Sequence, residues 1–454
     1  MLSPSRTTLR AALLLGALAW GASAQNHYVV RLSAGANISS LTLRYGLQLI
    51  ASPAGSASGL YVVNSLLPLS WLSGIYADPS VLNVEADALA ALPEVARTSQ
   101  IAGTPNLTSI NSWIAPYLGK TQINPFTGAS EWSAYQNQPA AGIVRVAEAQ
   151  HFASGAGTVA ILDTGADFTH PVLASSLVFG WDFVNNLSGG YAVPVDLLSA
   201  TGSVLDQSTT SILDQSTTSF LDQSTTSILD QSTTSFLDQS TTSFLDTSSP
   251  INEYGHGTMT AGIIHLVAPT ARLLPVKVFD VNGGSCLWLI VQGIYYAVEQ
   301  GAKVISMSFS MRQSSVELQR AIAYANSMGV VLVASAGNEG QPIVVYPAGY
   351  KQVLGIGSTD NQDVRSTFSN YGSVVALAAP GEAIVTTYPQ NRYAAGWGTS
   401  FSAPFVAGGA ALLVQLNGQI TPSAARQALS QAVPVGQGLG AGRLDLARAI
   451  QWVY

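Results

Sequence analysis

Three separate segments of the chain carry the side chains that nucleophilic catalysis requires. The sequence VAILDTG ends an apolar strand pattern in Asp163 and a glycine turn, and EYGHGTMTAGII sets His256 between two glycines at the predicted start of a helix. In GTSFSAPFVAGGAALL, a turn of small residues brings Ser400 to the N-terminus of a helix rich in Ala and Gly. A serine hydroxyl becomes a nucleophile when a base takes its proton, and a carboxylate fixes the tautomer of that base. These residues therefore predict a serine nucleophile with its base and orienting acid.

A fourth segment supplies a hydrogen-bond donor for the same chemistry. In ASAGNEG, Asn338 follows an apolar strand pattern inside a glycine-rich turn. Its side-chain amide can donate to the oxyanion of a tetrahedral intermediate, and the backbone N–H of Ser400 is the natural second donor.

Apolar strand patterns alternate with helical patterns from about residue 130 onward, and they must position these side chains. The predicted strands are Thr158–Leu162, Leu273–Phe279, Lys303–Met307, Val330–Ala334 and Val353–Ile356, and the clearest helical patterns are 287–300 and 315–328. Continuous apolar strands separated by helices predict an α/β fold, with a parallel sheet covered by helices on both faces. In such sheets the functional residues gather at the carboxyl ends of the strands.

Composition limits the function classes. The chain has 454 residues, 47% of them hydrophobic and 9% charged, and a net charge of −7. This charge argues against a nucleic-acid partner, because no basic stripe replaces the phosphate counterions. The single cysteine, Cys286, cannot form an internal disulfide and is interpreted as a small apolar filler.

The N-terminus has the pattern of a secretory signal over residues 1–24. Arg6 and Arg10 precede the apolar stretch Ala11–Ala19, and Ala22–Ala24 is a small-residue cleavage pattern. The alternative, a retained membrane anchor, is disfavoured because the apolar stretch is too short to span a bilayer. The sequence thus predicts a secreted protein, extracellular or periplasmic, with no membrane anchor after signal cleavage.

Residues 25–92 show a βαββαβ pattern. The predicted strands are His27–Leu32, Leu47–Ser52, Gly59–Asn64 and Val81–Ala86, and the predicted helices are Ser39–Tyr45 and Pro68–Tyr76. Six elements in this order predict a small α+β, ferredoxin-like domain. It is interpreted as a removable prosegment, with a permanent accessory domain as the alternative. Residues 93–129 lack periodicity and are assigned to a linker and processing region.

Residues 203–245 repeat an eight-residue unit, seen as SILDQSTT and SFLDQSTT. Because eight is even, a strand-and-turn unit would keep its faces aligned from repeat to repeat. The aspartates would then form a carboxylate ladder. The alternative, which composition favours, is a flexible Ser/Thr-rich insert.

The region 130–454 resembles the subtilisin-like (subtilase, S8-type) serine proteases. The three segments above, AGNEG, YPAGY at 346–350 and GAGRLDLA at 440–447 occur in the order that this family shows, and the chain order Asp–His–Ser is that of subtilisin. The resemblance implies a three-layer subtilisin-like fold and a secreted endopeptidase that hydrolyses peptide bonds through an acyl-enzyme. It gives the triad to Asp163, His256 and Ser400 and the oxyanion-hole donor to Asn338.

The resemblance also implies the residues that bind the substrate. Protein or peptide substrates would lie as an extra strand between two enzyme segments, which is β-augmentation. The matching residues are Gly283, Gly284, Ser285, Ser308, Phe309 and Ser310, with Ala336 and Gly337 lining the pocket before the cleaved bond. Ser310 departs from the glycine that the family usually has, which puts close approach of the substrate backbone in doubt.

Further implications concern partners and ions. The resemblance implies that residues 25–92 act as an intramolecular inhibitor of the enzyme. It implies no cofactor for catalysis, and structural calcium stays open with no ligand set assigned. Two other functions also stay open: transpeptidation, in which an amine resolves the acyl-enzyme, and a surface binding module whose working part is the repeat.

Overall fold

The computed structural model describes residues 27–52, 55–66, 68, 70, 73–92, 110, 113–185, 210–213, 228–229, 255–280 and 283–454. The chain divides into two compact units. The first comprises Met1–Leu89 with Cys286–Trp288, and the second comprises Ala90–Ser285 and Leu289–Tyr454. The predicted signal segment lies outside the described residues.

The first unit has a four-stranded antiparallel sheet. Its elements are β1 (His27–Leu32), α1 (Ile38–Tyr45), β2 (Gln48–Ala51), β3 (Leu60–Asn64) and β4 (Val81–Ala86). The short strand β5 (Leu89–Ala91) follows β4 in the chain and is not part of this sheet. The sheet order is β2-β3-β1-β4, with antiparallel pairs throughout. This is the order of a ferredoxin-like sheet. Val30, Leu41 and Val84 belong to its core.

The second predicted helix of this unit is wrong. Where the sequence predicts a helix over 68–76, the structure has a 3-10 helix at Ser73–Ala77. Gly74 lies inside the predicted span, and glycine weakens an α-helix interior by about 1 kcal/mol relative to alanine.

The second unit is built on strands and helices in alternation. The remaining elements are β6 (Thr121–Ile123), β7 (Ser130–Trp132), α2 (Ser133–Gln136), α3 (Pro139–Ile143), α4 (Val146–Gln150), β8 (Thr158–Asp163), β9 (Trp181–Asp182), β10 (Thr210–Leu213), β11 (Ile228–Leu229), α5 (His256–Val267), β12 (Arg272–Lys277), β13 (Gly284–Cys286), α6 (Leu287–Glu299), β14 (Ala302–Met307), α7 (Val316–Ser327), β15 (Val331–Ser335), β16 (Val353–Thr359), β17 (Leu377–Pro380), β18 (Ile384–Tyr388), β19 (Arg392–Gly396), α8 (Thr399–Leu416), α9 (Pro422–Leu429) and α10 (Leu446–Val453).

Seven of these strands form one parallel sheet in the order β17-β16-β15-β14-β8-β12-β9. Both faces are covered, as the alternation of side chains along β8 illustrates. Val159 and Ile161 belong to the core formed with α5 and α8, whereas Leu162 faces Gly293 of α6. The predicted α/β fold, a parallel sheet between helical layers, is confirmed.

Helix α8 is the central core helix. It is 18 residues long and, among the described residues, is the one helix apolar enough to cross a membrane by length and composition. However, 89% of it is buried inside the fold. Its apolar composition therefore reflects packing against the sheet.

Part of the predicted linker is folded. Ile110 and Ile114 are buried in the same core as Trp132, and β6 pairs with β7 as an antiparallel hairpin. These elements are only three residues long, and so they leave no detectable period in the sequence. The folded chain therefore begins earlier than the composition predicts.

Two short strands lie within the octad repeat. β10 pairs antiparallel with β19, and β11 pairs parallel with β10, with Ile212 and Ile228 in register. This offset of 16 residues is two repeat units, which brings identical positions of the repeat into register. The aspartates of the predicted ladder lie outside the described residues: Asp206, Asp214, Asp222, Asp230, Asp238 and Asp246.

Candidate active site

Asp163 ends strand β8 at the carboxyl edge of the sheet and is fully buried. Its Oδ1 lies 2.7 Å from Nδ1 of His256 and accepts a hydrogen bond of 2.8 Å from the backbone N–H of Thr164. The hydroxyl of Thr260 lies 3.2 Å from Oδ2. A buried carboxylate is costly unless hydrogen-bonded, and these partners satisfy both oxygens.

His256 is the first residue of α5, and its place depends on a glycine contact. A Cβ at Gly257 would overlap the carbonyl oxygen of Gly165, so only glycine lets α5 approach the turn after Asp163 this closely. His256 is itself buried. Gly257 therefore permits the close packing that brings Nδ1 to Asp163. With Nδ1 donating to Asp163, Nε2 is the basic nitrogen.

Ser400 is the second residue of α8, where the positive end of the helix favours nearby negative charge. Its hydroxyl donates to the Ser308 carbonyl at 3.2 Å, and the Ser308 hydroxyl donates to the Ser400 carbonyl at 3.0 Å. The ring of the next residue, Phe401, lies 5.7 Å from the His256 ring, centroid to centroid. The first turn of α8 therefore stands beside the imidazole.

Asn338 lies in the turn after β15 and is held by Thr399. Its Oδ1 accepts hydrogen bonds from the Thr399 N–H at 2.8 Å and the Thr399 hydroxyl at 2.9 Å. Because Oδ1 is the accepting end of the amide, the donor Nδ2 is its opposite end. Gly337, at φ +94°, turns the chain here, and a Cβ there would overlap the side chains of Asn370 and Glu339.

Sequence reasoning missed Thr399. Thr399 directly precedes Ser400 and links the start of α8 to the Asn338 turn, and the Gly337 N–H also donates to its hydroxyl at 3.2 Å. Its position inside the Gly-Thr-Ser motif was the available signal, because a side chain adjacent to the nucleophile can reach neighbouring turns.

The residues expected to bind substrate follow neighbouring elements. Gly284 and Ser285 lie in β13, Ser308–Ser310 follow β14, and Ala336 and Gly337 follow β15. The side chain of Phe309 is fully buried, with its ring centroid 5.1 Å from that of Phe279. It therefore anchors the segment 308–310 in the core.

An extended stretch, Ala90–Leu92, pairs with two of these segments. The Leu92 N–H donates to the Gly283 carbonyl at 3.0 Å, and Ala91 forms an antiparallel bridge with Ser310. The Ser310 N–H contacts the Ala91 carbonyl at 3.5 Å. The Ser310 side chain therefore does not prevent a strand from pairing here, although a glycine was expected at this position.

The arrangement defines a class of protein. An aspartate, an imidazole and a serine at a helix N-terminus lie at the carboxyl edge of a parallel sheet, beside the turn that carries Asn338. Within the described residues, no group of three or more His, Cys, Asp or Glu side chains could hold a metal ion. The fold and site are those of a serine hydrolase.

Comparisons with known proteins give the family. Residues 155–445 match the model of the subtilase family. Thermitase of Thermoactinomyces vulgaris is 35% identical over 325 residues, which cover 68% of this chain and 94% of thermitase. The thermophilic serine proteinase of Bacillus sp. (strain AK1) is 31% identical over 65% of this chain and 61% of its own length, and subtilisin BL of Lederbergia lenta is 39% identical over 36% and 64%. The chain belongs to the subtilase family and is a subtilisin-like serine endopeptidase.

Proposed function

We propose that Ser400 attacks the substrate carbonyl, that His256 takes its proton and that Asp163 orients the imidazole. The observation that carries this proposal is the 2.7 Å contact between His256 Nδ1 and Asp163 Oδ1. It leaves Nε2 as the basic nitrogen, next to the helix turn that bears Ser400. The acyl-enzyme forms as the protonated His256 gives its proton to the leaving amine, and water then resolves it by the reverse proton path.

Asn338 donates to the oxyanion of both tetrahedral intermediates in this proposal. The two hydrogen bonds from Thr399 to Oδ1 support the assignment, because they fix the amide before the substrate arrives. A donor that needs no reorganisation when charge develops is the most effective kind. The backbone N–H of Ser400 is the second donor.

The substrate binds as a strand between the segments at 283–285 and 308–310. The pairing of Ala91 and Leu92 with Ser310 and Gly283 supports this, because those backbone groups already hold an extended chain. Backbone hydrogen bonds of this kind give affinity without sequence preference. Ala336 and Gly337 line the pocket before the cleaved bond.

Residues 25–92 act as an inhibitory prosegment in the same account. Ala90–Leu92 ends this stretch and pairs as a substrate would, and Leu92 is fully buried. A segment in that position competes with substrate until it is removed. Cleavage within residues 93–129 would then release the mature enzyme.

The enzyme is exported and works with its own side chains. The signal pattern of residues 1–24 supports export to the extracellular space or the periplasm. The proton transfers proposed above use His256, Asp163 and Ser400 and call for no cofactor. A structural calcium ion stays open, with no ligand residue proposed.

Casein hydrolysis tests the function. Purified wild-type chain, freed of residues 25–92, should release soluble peptides, and the same preparation of Ser400→Ala should release none. Mass spectrometry of a model peptide digested with an added amine separates hydrolysis from transpeptidation. Absence of cleavage by folded wild type, or equal cleavage by Ser400→Ala, would refute the proposal.

A further inference from the structure

A cavity lies at the amino ends of the parallel strands, opposite the carboxyl ends that carry the triad. Its volume is about 790 Å³, within the range of small-molecule sites. It is lined by the amino ends of three neighbouring strands, through Lys303 in β14, Gly329 before β15 and Lys351 before β16. The start of α9, with Pro422 and Arg426, completes the lining.

The charges of this cavity are opposite in sign to those of the protein. The chain has a net charge of −7, yet Lys303, Lys351 and Arg426 line the cavity and no carboxylate does. Two of the four lysines in the whole chain are therefore in one place. Within the part of the chain that the structure describes, none of these three cations forms an ion pair, whereas other arginines do.

Arg426 is held in place without a counter-ion. Its Nη2 donates to the backbone carbonyls of Lys351 at 3.0 Å and Val353 at 2.6 Å. Burial lowers the pKa of this guanidinium from its usual value, because it removes solvent from a charge that has no carboxylate beside it. A bound anion would supply the missing charge.

The rest of the lining suits the same ligand. The stem of Lys303 lies beside Gly157, where glycine leaves room for it. Helix α9 begins at this cavity with Thr421 as its N-cap, whose hydroxyl accepts from the Ala424 N–H at 3.2 Å. The dipole of the helix still places partial positive charge at this end. The three cationic side chains thus supply most of the positive potential in this space, and the dipole of α9 adds to it.

We propose that this cavity binds a small oxyanion with two or more charges, a phosphate or a polycarboxylate. The ligand would bridge the amino ends of β14 and β16 to the start of α9. The proposal does not depend on the triad, and its test can be read without any peptidase activity.

Isothermal titration calorimetry of the full chain tests this site. All samples carry Ser400→Ala to prevent self-digestion, and the two probes are inorganic phosphate and tricarballylate, with sodium chloride at matched ionic strength as reference. Saturable binding of either probe, above the chloride reference, is the expected result. Phosphate alone, tricarballylate alone or both would support the site and identify the oxyanion it accepts.

Charge-removing variants distinguish binding in the cavity from nonspecific attraction of the anion to the protein's charge. Lys303→Gln and Lys351→Gln should each raise the Kd about tenfold, since each removes one charge-assisted contact. Lys120→Gln is the matched control, because Lys120 is exposed and outside the cavity. Circular dichroism checks that all three variants stay folded. No saturable binding by the parent, or an equal loss in Lys120→Gln, would overturn the proposal.

Discussion

His256 and Asp163 lie 93 residues apart in the chain, and the Nδ1 of the first stands 2.7 Å from Oδ1 of the second. The contact exists because β8 ends in Asp163, α5 begins with His256, and Gly257 lets α5 lie directly against the Gly165 carbonyl. Asp163 therefore selects the His256 tautomer with the proton on Nδ1, which leaves Nε2 as the base.

Asp163→Asn should lower kcat by about 10⁴ and leave KM nearly unchanged. An amide in this place can stabilise the wrong imidazole tautomer and cannot stabilise the imidazolium. Steady-state hydrolysis of a chromogenic peptide measures both constants. A loss below tenfold would show that Asp163 does not orient the base.

Asn338→Ala should lower kcat by about 10²–10³, the loss that follows removal of such a donor in subtilisin. KM should stay nearly constant, since the donor acts on charge that develops after binding. Asn137→Ala, at an exposed position away from the turn, is the matched control. A rise in KM with unchanged kcat would assign Asn338 to ground-state binding instead.

Gly257→Ala should reduce kcat at least 100-fold, because the new methyl group would overlap the Gly165 carbonyl and push His256 away from Asp163. Gly142→Ala is the control, since a Cβ there meets no atom within 4 Å. Thermal unfolding of both variants separates misplacement from loss of fold. Full activity in folded Gly257→Ala would contradict the close approach.

Stability should fall as the pH drops from about 6.5 to about 4, because of His170. Burial lowers the pKa of this histidine to about 4. Its Nε2 contacts the Arg392 carbonyl at 3.0 Å, and Nδ1 accepts from the Val172 N–H at 3.3 Å, which fits the neutral ring only.

The sign follows from proton uptake. The unfolded chain protonates this residue below pH 6.5 while the folded chain does not, so up to about 3 kcal/mol of unfolding free energy is lost by pH 4. Denaturant unfolding at several pH values, in Ser400→Ala protein, measures the slope. His170→Gln should flatten it, whereas His151→Gln, at an exposed site, should not. An unchanged slope in His170→Gln would exclude this cause.

The sequence predicted what local pattern and motif encode. Asp163, His256, Ser400 and Asn338 are marked by the small residues around them, and the strands by their apolar runs. The contacts that hold them were beyond prediction: Thr399 meets Asn338 only after β15 and α8 pack together. The three-residue elements between 113 and 132 are too short to show a period. In the helix expected at 68–76, residues 73–77 form a 3-10 helix around Gly74, which weakens an α-helix interior.

The in-register pairing of β10 and β11 shows a further limit. The period of eight residues is visible in the amino-acid sequence, but the sequence does not show which copies of the repeat pair. The structure aligns Ile212 with Ile228, two units apart. Which copies pair depends on tertiary structure: β10 also pairs with β19, which comes from a distant part of the chain.

Labelling by a serine-directed fluorophosphonate tests the central assignment most directly. After removal of residues 25–92, the wild-type enzyme should take up one equivalent of probe, and tandem mass spectrometry should find it on Ser400. Ser400→Ala should remain unlabelled while keeping its fold. Uptake on another serine, or failure of the folded wild type to react, would contradict the assignment of Ser400 as the nucleophile.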